Sequence, residues 1–431
     1  MDSERSFAPA TMAELHLPPT VVVEHAIRTL SYLGAMNASE LARHWRVRDS
    51  VAVEIVASLK AANLIGLDSG QSNFERTGRV HLLAAGLARV ESARQRTRYA
   101  GPLPVALPDF ERFSEIDDAP PLERANLEAA LAAAAIAPVA AAEIGQAIAG
   151  DATLAIAGLA FDEQASIAEV LRSTLTGEIT LPYALYAAGS VVRVFDGRYH
   201  RSRNEQSEAT IGDREVLRAH EEFSQWASVE PPTVTFAGGV QESDILPAYD
   251  EESRFYVAPA PFAACGGMMI VFDAASNPAA LTQLARLWLI PGRTHTGLIL
   301  LRSGERIEVP WRASTVLFGD VAHALPTVLR DAVSYSVDVS ELRDGALRTF
   351  ITNRLGEADV FDADAISTLT GLLERRNIST RIAAAMATRY LLDRAAYERA
   401  SFLLTPAVLT RAVDFADGHR TNAPAMLRVA S

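Results

Sequence analysis

Apolar positions take up a helical rhythm at Thr20: Val21, Val22, Ala26, Leu30 and Leu33 fall on one face, and Gly34 stops the run as a C-cap would. Residues 1–19 carry Asp2, Glu4 and Glu14 against Arg5, together with Pro9, Pro18 and Pro19, and read as a flexible lead-in. Ser39 stands where an N-cap belongs, ahead of Glu40, Leu41 and Trp45. After the break Arg46-Val47-Arg48-Asp49, a second helix is predicted over 51–62, with Val53, Ile55, Val56 and Leu59 as its apolar positions. Residues 64–67 and the polar tip at 68–73 have the pattern of a hairpin strand and its turn. Thr77-Gly78-Arg79 is expected to open another helix running toward Arg98.

Helix, short helix, turn, helix, hairpin, helix is the plan of a winged helix-turn-helix domain, and it predicts one over 20–98. Residues 20–100 hold 11 basic and 7 acidic side chains, a balance of +4 in a chain whose net charge is −13. A basic end on an acidic body suits nucleic-acid binding. The charge is mild, however, and the presumed recognition helix has Glu54 with Lys60 only at its far end, where base readout wants Arg, Lys, Asn or Gln early. Arg43, Arg46, Arg48, Lys60 and Arg76 are therefore candidate contacts for either DNA or a protein partner.

A proline-rich linker is expected over 99–122, containing Pro102, Pro104, Pro108, Pro120 and Pro121. Short apolar runs then predict buried strands at 153–157, 190–195, 233–236, 267–272, 296–301 and 314–318. Helices between several of them argue for an α/β core over 123–342. From about residue 343 the pattern is helical only, an all-α unit over 343–431. With 431 residues, 49% of them hydrophobic and 22% charged, the chain can bury several cores. The apolar stretch at 129–142 is mostly alanine, is broken by Pro138 and is too short to span a bilayer. Met1-Asp2-Ser3-Glu4-Arg5 has an acidic flank and no apolar run behind it, unlike a signal peptide. A cytoplasmic protein is expected, and a single cysteine, Cys265, fits a reducing compartment.

Further along, an ordered series of short matches appears: Tyr99-x-Gly101-Pro102-x-Pro104-Val105, Leu181-Pro182-Tyr183-Ala184, Val194-Phe195-Asp196, and Ser253-Arg254-Phe255-Tyr256-x-Ala258-Pro259. Gly266-Gly267, Arg286-x-Trp288-x-x-Pro291 and Glu308-Val309-Pro310 complete it. In this order the chain resembles a bacterial AAA+ ATPase family that carries a winged helix ahead of its ATPase core. The resemblance implies a P-loop-like α/β core, a C-terminal helical lid and ring-like assembly.

It also says where ATP chemistry should lie, and that chemistry is missing. A P-loop needs a Gly-rich turn around the phosphates, a lysine, and a hydroxyl on magnesium. The aligned loop runs from Gly158, with Glu163 at the second glycine, Gln164 at the lysine and Ala165 at the Ser/Thr position. A carboxylate roughly 4 Å from a phosphate charge costs ~1–4 kcal/mol, according to solvent exposure. The sole lysine is Lys60, so none remains for any lysine-based mechanism in the core. Phe272 stands at the magnesium-holding acid and Asp273 at the following one, where an N-cap role ahead of Ala274 is the simpler expectation. The strand ending Phe318-Gly319-Asp320-Val321 lacks the expected asparagine. By the same resemblance, Arg330 is a candidate arginine finger and Arg389 a candidate sensor-2 arginine.

No Gly-x-Ser-x-Gly elbow or His-Glu-x-x-His pair occurs, and the nine histidines are scattered, so neither a metal nor another cofactor is expected. The basic-aromatic run Asp196-Gly197-Arg198-Tyr199-His200-Arg201-Ser202-Arg203 is a candidate phosphate or acidic-partner contact, or a solvated hairpin tip. The resulting expectation is a degenerate, non-catalytic AAA+-like assembly or adaptor subunit, oligomeric and acting through protein contacts, an intact AAA+ paralogue among the candidates. The alternatives are a winged-helix DNA-binding regulator and a weakly active atypical ATPase.

Overall fold

The computed structural model describes residues 8–67, 78–114, 122–202, 224–274, 276–319, 327–342, 345–356 and 360–421. Arg76, the hairpin tip, Arg203, Asp320 and Val321 lie outside the described residues.

The N-terminal unit contains helices α1 (Pro19–Leu33), α2 (Ala38–Trp45) and α3 (Asp49–Ala61), the antiparallel strands β1 (Ile65–Leu67) and β2 (Val80–Leu82), and α4 (Ala84–Arg96). Gly34 ends α1 with φ +81°, as its position predicts. The N-cap of α2 is Asn37 rather than Ser39. The Asn37 side chain accepts from the Glu40 N–H at 2.8 Å, and the Glu40 carboxylate accepts from the Asn37 N–H at 2.8 Å. Residues 80–82 are strand, not the start of a helix, because Val80 and Met36 exchange backbone hydrogen bonds ahead of β2's pairing with β1. Trp45, buried at the centre with Ile27, Leu41, Ile55 and Leu59, donates its indole N–H to Thr29 Oγ1 at 3.0 Å.

The described parts of the expected flexible lead-in (8–19) and of the expected linker (99–114) are packed. In the lead-in, Leu15 and Leu17 join this same core, the Met12 N–H donates to Glu54 Oε2 at 2.6 Å, and the Ser50 hydroxyl donates to the Ala10 carbonyl at 2.7 Å. The start of the predicted linker forms β3 (Val105–Ala106) and α5 (Leu107–Ser114). Its Leu103 and Ala106 lie in the N-terminal core, and the Gln225 amide donates to the Leu103 and Pro104 carbonyls at 3.1 and 2.9 Å.

Beyond α6 (Arg124–Ala133) and α7 (Pro138–Ala149), the α/β core runs through β4 (Thr153–Ala157), α8 (Phe161–Thr174), β5 (Ile179–Pro182), β6 (Ala184–Ala187), β7 (Ser190–Arg193), β8 (Trp226–Val229) and β9 (Thr233–Phe236). It continues with α9 (Glu242–Ile245), β10 (Ala248–Asp250), β11 (Phe255–Val257), α10 (Ala260–Ala263), β12 (Gly267–Val271) and α11 (Pro278–Leu284). Last come β13 (Thr296–Leu300), β14 (Arg306–Pro310), β15 (Ala313–Phe318), α12 (Thr327–Ala332) and β16 (Tyr335–Asp338). The central sheet has the order β16-β4-β15-β12-β9 and is parallel throughout. Leu154, Ile156, Met268, Ile270 and Val316 face one apolar cluster; Ala155, Met269, Val271 and Leu317 face the other. Both faces of β4, β12 and β15 are covered, which is why these three strands read as apolar runs. A second, mixed sheet of order β10-β11-β7-β6-β3 lies against the N-terminal unit.

The chain ends in α13 (Ala346–Leu355), α14 (Ala363–Arg375), α15 (Arg381–Glu398) and α16 (Pro406–Thr421). They share a core of their own around Leu369, Leu373, Leu391 and Leu409. Among the described residues no helix is long and apolar enough to cross a membrane.

Candidate functional site

The loop from β4 to α8 leaves the C-terminal end of a central parallel strand, the edge at which open α/β sheets keep their ligand sites. Gly158 turns it at φ +86°, and a Cβ there would stand 2.3 Å from the Ser340 nitrogen, so only glycine fits. From that point the loop satisfies itself. The Ala160 N–H donates to Glu163 Oε2 at 3.0 Å, and the Gln164 amide donates to the Leu159 carbonyl at 3.2 Å. Glu163 is 8% exposed and its other oxygen accepts from Arg381 at 2.9 Å; Arg381, the first residue of α15, is 1% exposed.

Arg381 is a junction. Its guanidinium also donates to the carbonyls of Val339 (3.1 Å), Ala134 (2.9 Å) and Ala135 (2.7 Å), and lies 5.1 Å from the Phe350 ring centre. Beside Glu163, Asp162 pairs with Arg354 at the end of α13. The positive N-terminus of α8 therefore holds two carboxylates of its own chain, each tied to an arginine from the C-terminal helices. Ala165 is exposed.

Phe272, at the expected metal-holding position, is buried and stacks on Phe318 at 5.3 Å, with Phe161 at 6.2 Å on its other flank. This aromatic cluster offers no oxygen to a cation. Asp273 is not an N-cap: it is an exposed turn residue at φ +47°, and α11 is capped by Asn277, whose side chain accepts from the Ala280 N–H at 3.3 Å. Among the described residues no group of three His, Cys, Asp or Glu could hold a metal ion.

The two arginines singled out by resemblance lie elsewhere. Arg330 is exposed on α12 and donates to Thr327 Oγ1 at 3.4 Å. Arg389 is exposed on α15 and pairs with Asp393 at 2.8 Å, one helical turn on, instead of entering the loop. Sequence reasoning missed Arg381. The available signal was its place in a helix's first turn, where a cation opposes the dipole and calls for a carboxylate nearby.

Of the candidate contacts on the N-terminal unit, Arg43 and Lys60 are exposed, whereas Arg46 lies 4.3 Å over the Tyr183 ring and is spent on the α/β body. Arg48 is the half-buried N-cap of α3. The polar face of α3 itself is engaged by the lead-in through Ser50 and Glu54.

The run 196–202 is an ordered turn. Asp196 accepts from the Arg198 guanidinium at 2.6 Å, which holds its carboxyl below the ordinary range. His200 is buried: Nδ1 accepts from the Asp196 N–H at 2.9 Å and Nε2–H donates to the Ala263 carbonyl at 3.0 Å, and burial lowers its pKa. Cys265 is half-buried with Sγ 3.9 Å from the Pro310 carbonyl.

No family model matches the chain, and no curated protein matches it either. Among solved structures, the chain is similar to one in a complex between subunits BchI and BchD of magnesium chelatase, at 15% identity over 64% of this chain and 91% of that one, with a TM-score of 0.30. It is also similar to a point mutant of RuvB from Thermotoga maritima, at 10% identity over 68% of this chain and 69% of that one, with a TM-score of 0.32.

Proposed function

We propose that the chain is a non-catalytic, AAA+-like subunit that works by assembly with protein partners. The observation that carries this reading is the Glu163–Arg381 pair. The loop whose amides would cradle a phosphate is closed on a carboxylate of its own helix, neutralised by an arginine of the C-terminal helices. The phenylalanine cluster around Phe272 supports it by removing the acid that would hold magnesium. The five-stranded parallel sheet followed by a four-helix unit agrees with a P-loop-like core and lid, and the helices and hairpin over 19–96 agree with a winged helix. Lead-in contacts on Ser50 and Glu54 favour a docking role for that unit over operator reading, since α3 is its presumed recognition helix.

Arg330 is exposed, as an arginine must be if it is to reach a neighbour's nucleotide. The test has two arms. Purified protein in Mg-ATP should release no phosphate above the blank, and steady turnover would overturn the non-catalytic reading. Capture of partners from the native cell followed by mass spectrometry should return an AAA+ ATPase. Arg330→Ala should preserve that capture while slowing the partner's turnover ~10-fold or more, at least ~1.4 kcal/mol of barrier. An unchanged rate would leave the subunit a scaffold.

A further inference from the structure

A second cleft, of about 420 Å³, lies between the N-terminal unit and the mixed sheet, well away from the β4–α8 loop. One wall is α1 and the end of α4; the other is the strand edge formed by β6, β7, β10 and β11. Among the described residues its lining gathers four guanidinium groups, Arg28, Arg96, Arg254 and Arg302, against one carboxylate, Glu24, which faces both Arg28 and Arg96. That excess stands out in a chain of net charge −13. The hydroxyls of Thr20, Thr97 and Ser190 and the phenols of Tyr186, Tyr249 and Tyr256 add further donors.

The cations are held in place rather than loose. Arg28 is buried and donates to the Tyr99 carbonyl at 3.1 Å; Arg96 pairs with Glu24 at 2.5 Å. Arg254 donates to the Gln95 carbonyl at 2.5 Å, which ties the two walls together. Arg302 lies 5.2 Å from the Tyr249 ring centre and pairs with Glu251 at the rim. His25, also in the lining, is 1% exposed. Its Nε2–H donates to the Gly101 carbonyl at 3.0 Å, and its Nδ1 is left as a buried acceptor with no hydrogen-bond partner. Burial, with Arg28 and His44 close by, holds this imidazole neutral, so Nδ1 can only accept a hydrogen bond and would serve a hydroxyl of the ligand, not a phosphate oxygen.

We propose that this cleft binds a phosphate-bearing small molecule. Fixed guanidinium groups recognise phosphate oxygens through charge-assisted hydrogen bonds, and a donor-rich, carboxylate-poor wall suits an anion that carries no metal ion. The recess is the size of a small-ligand pocket, and its two walls come from different structural units, a common place for such sites. Occupancy would fasten the N-terminal unit to the α/β body.

The test is calorimetric titration of the full chain with inorganic pyrophosphate at low salt, with and without magnesium. Saturable, magnesium-independent binding is expected, weakened at least 10-fold in a variant carrying Arg96→Gln and Arg302→Gln. A charge-matched variant with Arg124→Gln and Arg375→Gln, exposed positions outside the cleft lining, should bind as the parent does. Absence of heat, or equal loss in the two variants, would overturn the proposal. Binding that requires magnesium would overturn it as well and would point to the β4–α8 loop. Thermal melts of both variants within about 2 °C of the parent establish that folding is intact.

Discussion

Replacing Arg381 is the sharpest perturbation of the proposed closed loop. The side chain is 1% exposed and makes four hydrogen bonds, three of them to carbonyls and one to the Glu163 carboxylate. Arg381→Met keeps the apolar stem against Phe350 but strands Glu163, itself 8% exposed, without its counter-charge. Leaving one member of a buried pair unpaired costs about 3–5 kcal/mol. Glu163→Gln still offers a carbonyl oxygen to Arg381 and should cost less, about 1–3 kcal/mol. The double variant removes both charges, so its cost should fall short of the sum by ~1 kcal/mol or more. Thermal melts read this directly: at roughly 2 °C per kcal/mol for a chain of this size, Arg381→Met should lower Tm by about 6–10 °C. Hydrogen exchange should locate the loosening at the start of α15 and in the β4–α8 loop. A shift below about 2 °C, or strictly additive costs in the double variant, would show that the pair does not hold the loop closed.

Gly158→Ala should destabilise by at least ~2 kcal/mol, because its φ of +86° is strained for alanine and its Cβ would meet the Ser340 backbone at 2.3 Å. Gly189→Ala, at φ +72° with open space around it, is the control at about 1 kcal/mol; equal losses in urea melts would discount the contact with Ser340. Burial depresses the native pKa of His25 and His200, so the unfolded chain binds more protons below its histidine pKa of about 6.5. Stability should therefore be full above about pH 6.5 and fall as pH drops, by at most ~1.4 kcal/mol per pH unit for each histidine; urea midpoints that stay level from pH 7.5 to 5.5 would contradict this. Deleting residues 1–17 removes the buried Leu15 and Leu17, each contributing about 1.5–3 kcal/mol, and should lower Tm without creating DNA affinity. Salt-dependent DNA retention by the truncated chain would instead mark α3 as a reader.

The three middle strands of the central sheet, β4, β15 and β12, were legible because burial on both faces leaves an apolar run, Gly267–Val271 being buried at every position; the edge strand β16, Tyr-Ser-Val-Asp and half-exposed, gave no such run and was missed. Short, half-buried strands such as β10 and β11, three residues each, gave no such run. The prolines of 102–108 suggested an open linker, yet β3 lies at a sheet edge, where flanking prolines remove no ladder hydrogen bond. Lead-in packing rests on two isolated leucines whose partners are set by the tertiary fold, so periodicity could not find it. At the loop, the absence of a lysine was legible because it needs no geometry. The pairing of Glu163 with Arg381 was not: the two are 218 residues apart in the chain.

That separation bears on why the pair exists. A buried ion pair is weak evidence for stability, because desolvating both charges roughly cancels their attraction. What it does supply is specificity, since Arg381 is satisfied only when the Ala134–Ala135 turn, the end of β16, the start of α8 and the start of α15 meet at one point. An anion arriving from solution at the N-terminus of α8 could do the same electrostatic work, but the arrangement would then follow that anion's concentration. Here both acids in the first turn belong to the chain, and both of their arginines belong to the C-terminal helices. On the proposed reading, closure of the helical unit on the sheet would then not follow the concentration of a diffusible ligand. A subunit built to turn over nucleotide needs that closure to come and go, whereas one built to present a constant surface to its neighbours needs it to stay.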